Sequence, residues 1–188
     1  MAPKERADAA RNRRAILDAT AALLAEHGAD AVTMDRVAAA AGVGKGTIFH
    51  RFGSRAGLLH ELVAESAVAL MTAVAEGPPP LGPGAPAADR LPAFFAAMAR
   101  LVIDNLALME VYRSVPPHPR TGEFHIFWRA HITALLREAR PDLDAETVGR
   151  LLLDSLAGRT VPDMVRSGST ERLLAAVDQQ VRAVLNAP

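Results

Sequence analysis

Apolar positions recur along this chain at helical spacing and almost nowhere at the two-residue spacing of a strand. Between Arg11 and His27, the stripe Ile16, Leu17, Thr20, Leu23 and Leu24 predicts a first helix, and Gly28 follows as a C-cap. Residues 1–10 carry no such stripe and read as a frayed end. Thr33 is an N-cap residue type, and Met34, Val37, Ala38 and Ala41 repeat behind it at i, i+3, i+4, i+7. Gly42 interrupts that face. A short third helix is predicted from Lys45 to Phe52, and Gly53 breaks it. Ser54 then caps a fourth helix whose stripe is Leu58, Leu59, Leu62, Val63 and Leu70.

The pattern stops at 76–86, EGPPPLGPGAP, which cannot be regular helix and reads as a linker or a loop between packed helices. Beyond it, helices are predicted over 89–113, 121–140, 144–166 and 169–186. Pro116, Pro117 and Pro119 separate the first two of these, and Arg140-Pro141-Asp142 separates the next pair, with Asp144 as an N-cap. Pro162 lies inside 144–166, so a kink or break is expected there. The fold class is all-α: an N-terminal three-helix unit joined by a fourth helix to a C-terminal helical bundle, about nine helices in all. The expected domains are 1–60 and 61–188.

Composition narrows the chemistry. The 188 residues, half of them apolar, suffice for a buried core. The absence of cysteine excludes disulfides, zinc fingers and thiol nucleophiles. No run approaches about 18 uninterrupted apolar residues, and the polar start MAPKERADAARNRR has no apolar signal region. A cytoplasmic protein without a membrane partner is therefore expected. The net charge of zero hides an asymmetry: residues 1–60 hold nine Lys/Arg against six Asp/Glu, the remainder twelve against fifteen. A basic front end is weak support for a polyanionic partner.

The segment 33–52, TMDRVAAAAGVGKGTIFHRF, has what a helix-turn-helix requires: an apolar-faced helix, a glycine turn, a second short helix, and small or polar residues exposed where that helix begins. Val43, Ile48 and Phe52 supply the buried face. Lys45, Gly46, Thr47 and His50 are left outside. Arg11, Arg13 and Arg14 read equally as a basic arm for phosphates or as a solvated helix face.

Over TMDRVAAAAGVGKGTIFHRFGSRAGLL, residues 33–59, the chain resembles the tetracycline-repressor (TetR-type) family of regulators. Turn glycine, Gly-Thr pair, aromatic-His pair, Phe52 and the Ser-basic start of the next helix fall at the family's spacing. The resemblance implies that Thr33, Phe49, His50 and Arg55 touch phosphates or support that contact. It puts Lys45, Gly46 and Thr47 at the start of the recognition helix near bases and backbone, with Gly44 at its entry. Phe49 stands where the family more often has Tyr, removing a phenolic hydroxyl. Arg55 replaces a more usual Lys, and Gly44 a small polar residue.

GVGKGT at 42–47 is not a phosphate-binding loop. Ala39 occupies the first glycine position, Thr47 comes one place late, and a helix rather than a strand precedes it. His118, His125 and His131 are not at i, i+4 spacing, so no metal site is expected. No nucleophile-base or paired-carboxylate pattern supports an enzyme, and no cofactor is expected.

Six of the eight aromatics lie between 94 and 128. Rings at this density build either a plain core or an apolar cavity with a few polar points. The resemblance implies an effector pocket, with Phe95, Met98, Val102, Met109, Tyr112, Phe124, Phe127, Trp128 and His131 as candidates. The last two predicted helices carry wide apolar stripes, and the resemblance implies that they pair with their copies in a homodimer. Leu152, Ser155, Leu156, Leu174, Val177 and Val181 are the candidate interface. The expected function is a one-component transcriptional repressor, binding a palindromic operator in double-stranded DNA and released by a small-molecule effector.

Overall fold

The computed structural model describes residues 3–106, 108–109 and 119–187, and no strand occurs among them. The helices are α1 (Pro3–His27), α2 (Met34–Ala41), α3 (Lys45–Phe52), α4 (Arg55–Glu76), α5 (Ala87–Asp104), α6 (Pro119–Ala139), α7 (Ala145–Ala157), α8 (Thr160–Arg166) and α9 (Thr170–Asn186), with a 3-10 turn at Ala29–Ala31. The expectation of an all-α chain holds.

Two compact units divide the chain. The first takes residues up to Glu65, with Leu108 and Met109. Its core joins Ile16, Leu17 and Leu24 of α1, Met34 and Val37 of α2, Ile48 and Phe52 of α3, Leu58 and Leu59 of α4, and Leu108. Thr20 lies fully buried in α1, and its hydroxyl donates to the Ile16 carbonyl at 2.7 Å, which satisfies the buried polar group. α1 begins eight residues before the predicted start. Ala7, Ala9 and Ala10 are strong helix formers, and Pro3 is tolerated at the first helical position, where no N–H bond is lost.

The second unit comprises Ser66–Leu106 and Pro119 onward. α5 packs against α6 and α9, and α6 against α7. Leu91, Phe94, Phe95, Met98, Ile132, Leu136, Leu152, Leu156, Leu173, Val177 and Val181 are buried. Gly149 lets α7 approach α6 so closely that a Cβ there would stand 2.9 Å from Ile132 Cγ2. The predicted single helix 144–166 is two helices, and the interruption falls at Gly158 and Arg159 rather than at Pro162. A proline ring clashes with the carbonyl four residues earlier, here that of Gly158, and the break removes that conflict. Pro162 then sits in the first turn of α8, where its missing N–H costs nothing.

α4 is long and apolar enough to cross a membrane by length and composition. Leu58, Leu59, Ala64, Ala67, Leu70 and Val74 of this helix are buried, while Val68 is 46% exposed.

Candidate nucleic-acid interface

The turn between α2 and α3 is built by local chemistry. Thr33 is extended at φ −108° and ψ 152°, and its hydroxyl accepts from the Arg36 N–H at 3.3 Å, capping α2. Gly42 ends α2 at φ +66°, left-handed backbone that glycine adopts without a steric penalty. The Val43 N–H then bonds the Ala38 carbonyl at 3.0 Å. Gly44 is the N-cap of α3 and offers no side-chain oxygen. Ile48 is fully buried and Phe52 nearly so. The same helix therefore turns Lys45, Gly46, Thr47, Phe49 and His50 to solvent. Phe49 is 44% exposed, unusual for so large an apolar ring.

Charged side chains bind this surface together. Lys45 Nζ lies 2.7 Å from Asp35 Oδ1 across the turn, and 5.9 Å from the centroid of the Phe49 ring. Arg55 is half-buried, and its Nε donates to the Val32 carbonyl at 2.8 Å, tying α4 to the segment that carries Thr33. Ser54 Oγ accepts from the Gly57 N–H at 3.1 Å, the cap expected for α4. Arg51 donates to the Ala9 carbonyl. Arg13 pairs with Glu61 at 2.9 Å and Glu65 at 3.5 Å, and Arg14 with Asp18 at 3.0 Å and Glu65 at 3.5 Å. Arg11 pairs with Asp8. These three arginines thus lie along α1 beside carboxylates.

A short buried-faced helix, a glycine turn and a second helix with an exposed cationic start form a helix-turn-helix. Residues 16–62 match the family model of the bacterial regulatory proteins, tetR family. This segment is a tetR-family domain. No curated protein matches the chain. Solved structures do. A transcriptional regulator from Rhodococcus sp. Rha1 is 22% identical, with 92% of this chain and 95% of that chain covered and a TM-score of 0.73. The TetR family transcriptional regulator PfmR from Thermus thermophilus is 22% identical, with coverage of 90% and 96% and a TM-score of 0.61. The fatty acid degradation regulator FadR from Bacillus halodurans is 18% identical, with coverage of 94% and 95% and a TM-score of 0.65. At these identities the likeness establishes a TetR-type fold along nearly the whole chain.

Within the TetR-type domain, the residues predicted to meet DNA fall in two places. Gly44, Lys45, Gly46, Thr47, Phe49 and His50 are exposed together on α3 and its entry. Thr33 and Arg55 are brought together by the Val32 backbone, which adjoins Thr33 and accepts from Arg55. Asp35 joins the first group and was not singled out in the sequence, because its pairing with Lys45 spans ten residues and two helices.

In the second unit, the candidate effector residues of α5 and α6 form a ring cluster. Phe94 meets Phe95 edge-on at 5.5 Å between centroids and Trp128 at 5.7 Å. Phe127 meets Trp128 at 5.0 Å and stacks on His131 at 6.3 Å. Phe95, Met98, Phe124 and Trp128 are buried, and Val102, Phe127 and His131 half-buried, whereas Met109, also half-buried, belongs to the first unit and not to this cluster. Tyr112 lies outside the described residues. His131 Nε2 and Arg90 Nε are buried without hydrogen-bond partners. Burial, reinforced by the Arg90 charge, pulls the His131 pKa down to about 4, so the ring is neutral at pH 7. Arg90 was not singled out in the sequence, where nothing distinguishes it from eighteen other arginines. A separate groove of about 420 Å³ between α5 and α9 is lined by Pro80, Asp89, Pro92, Ala93, Ala96 and Arg182, among others.

Of the candidate interface residues, Leu152, Leu156, Val177 and Val181 are buried within their own unit, Leu174 is half-buried and Ser155 is exposed. The outward face of α7 carries Leu151, which is 64% exposed.

Proposed function

We propose that this protein is a one-component transcriptional repressor that binds a palindromic operator as a homodimer and releases it when a small-molecule effector binds. The observation that carries the reading is α3, with Ile48 and Phe52 buried and Lys45, Gly46, Thr47, Phe49 and His50 presented outward. Residues 1–60 serve as the DNA-binding domain, and 61–188 as the effector-binding and dimerisation domain. α3 enters the major groove. Lys45 and Thr47 meet bases or backbone at its start, His50 meets phosphate, and Arg55 supports the contact of Thr33. One eight-residue helix reads few base pairs, so two copies related by a two-fold axis read a palindrome. The effector acts only through its differential affinity for two spacings of the recognition helices. This reading needs no catalytic group or cofactor.

A second reading keeps DNA binding and drops the effector, leaving the C-terminal unit as a dimerisation body. The close packing of Phe94 and Phe95, 0% and 1% exposed, favours it.

Fluorescence anisotropy tests both. The purified protein is titrated into the duplex upstream of its own gene and into a scrambled duplex, at two salt concentrations. Tight binding to the native duplex alone is expected. Equal, salt-sensitive binding to both overturns a specific regulator, and no binding at low salt overturns DNA recognition. Thr47→Ala should cost about 1–3 kcal/mol and relax specificity, and Lys45→Ala should weaken binding to the native duplex. Effectors are then screened by release of the duplex, fatty acids first because of the FadR likeness. Failure of every compound to release it favours the second reading.

A further inference from the structure

The Asp35–Lys45 pair lies on the surface assigned to DNA, and no structural need accounts for it. Both side chains are well exposed, Asp35 at 70% and Lys45 at 51%, so the pair adds little to folding. It joins the first turn of α2 to the first residue of α3. The contact is nevertheless close, with Lys45 Nζ at 2.7 Å from Oδ1 and 2.8 Å from Oδ2. The ammonium also sits over the Phe49 ring at 5.9 Å, which keeps it on this face when the carboxylate lets go.

Resting on the DNA-binding reading above, we propose that Asp35 is a specificity-determining residue: its carboxylate is a built-in counter-ion for Lys45 that DNA must displace. A phosphate offered by arbitrary DNA exchanges one oxyanion for another and gains little. It also brings a phosphate beside the freed carboxylate, which repels it. An operator that adds base contacts to Lys45 and Thr47 offsets this exchange, and arbitrary DNA does not. Asp35 therefore weakens non-operator binding more than operator binding. It also removes one cation from the count that sets salt dependence, since Lys45 arrives already neutralised.

The test compares wild type, Asp35→Asn, Asp35→Glu, Lys45→Ala and the Asp35→Asn/Lys45→Ala double variant on the native and scrambled duplexes, with a thermal melt of each to verify folding. Asp35→Asn should bind the scrambled duplex about two- to fivefold more tightly, gain less on the native duplex, and steepen the salt slope by up to about one. Asp35→Glu should restore wild-type behaviour, and the gain should largely vanish in the Lys45→Ala background. Unchanged or weaker binding of the folded Asp35→Asn variant to scrambled DNA overturns the proposal. So does an equal gain without Lys45, which would leave simple repulsion. Wild type that binds neither duplex overturns the DNA-binding reading and this proposal together. Wild type that binds, with Asp35→Asn identical to it, overturns the proposal alone.

Discussion

The Arg140 guanidinium donates through Nη1 to the Val184 carbonyl oxygen at 2.7 Å, so the turn after α6 closes the end of α9. The same nitrogen reaches the Ala187 carbonyl at 2.9 Å, while Nε and Nη2 hold the Asp142 carboxylate at 2.9 and 2.7 Å. The last carbonyls of a helix have no partner within it, and one planar fork serves them here while a carboxylate fixes its angle. Arg140→Ala should lower the melting temperature by several degrees, and Arg140→Lys nearly as much, because one ammonium cannot span both sets of acceptors. Scanning calorimetry of the three proteins checks this; a lysine variant as stable as wild type would reduce the role of Arg140 to charge alone. The pairing holds the Asp142 carboxyl down to about 2. Its contribution is therefore complete above about pH 4 and is lost as pH falls through 2.

Gly149 should tolerate no side chain. Alanine would favour the helix by up to about 1 kcal/mol. Its Cβ would meet Ile132 Cγ2 at 2.9 Å and Leu136 Cδ1 at 3.3 Å, both in a closed core. Overpacking of this kind costs about 1–3 kcal/mol. Gly149→Ala should therefore be destabilising by about 1 kcal/mol, and Gly149→Val by more, in urea titrations. A stabilised alanine variant would mean that α6 and α7 move apart freely.

Gly44 presents the opposite case. Its backbone, φ −69° and ψ 141°, is open to any residue, and an added Cβ meets only Thr47 Oγ1, at 3.9 Å. Gly44→Ser would place a hydroxyl where it can accept from the Thr47 N–H and would restrict the unfolded chain. The expected gain is about 0.5–1 kcal/mol by denaturant melt. Loss of stability would show that the entry to α3 needs glycine for a reason other than conformation.

Features encoded within a few residues were legible in the sequence. Thr33, Ser54 and Asp144 act as caps because each accepts from an N–H three residues on. The outward face of α3 followed from Ile48 and Phe52 at helical spacing. Pairings across the fold were not legible: Lys45 with Asp35, Arg55 with Val32 and Arg140 with Val184 join residues 10, 23 and 44 apart, which no local pattern records. Periodicity marked Leu152 and Leu156 on one helix and Val177 and Val181 on another as apolar stripes, but a stripe does not say what covers it. Here the same unit's core does. Pro162 signalled an interruption, but the steric conflict acts on the carbonyl four residues back, so the break lies at Gly158.

His131 should give stability a pH dependence of definite sign. Its ordinary value of 6.5 falls to about 4 in the fold, through burial first and the Arg90 charge second. Between those values the unfolded chain takes up a proton that the folded chain refuses, so folding weakens as pH drops from about 6.5 toward 4. The ring packs between Phe94, at 5.1 Å, and Phe127, so phenylalanine can replace it with no charge to gain. Urea midpoints at pH 7.5, 6.0 and 5.0 should decline more steeply for wild type than for His131→Phe. Parallel declines would mean that His131 titrates normally in the fold, and that water reaches the ring cluster between α5 and α6.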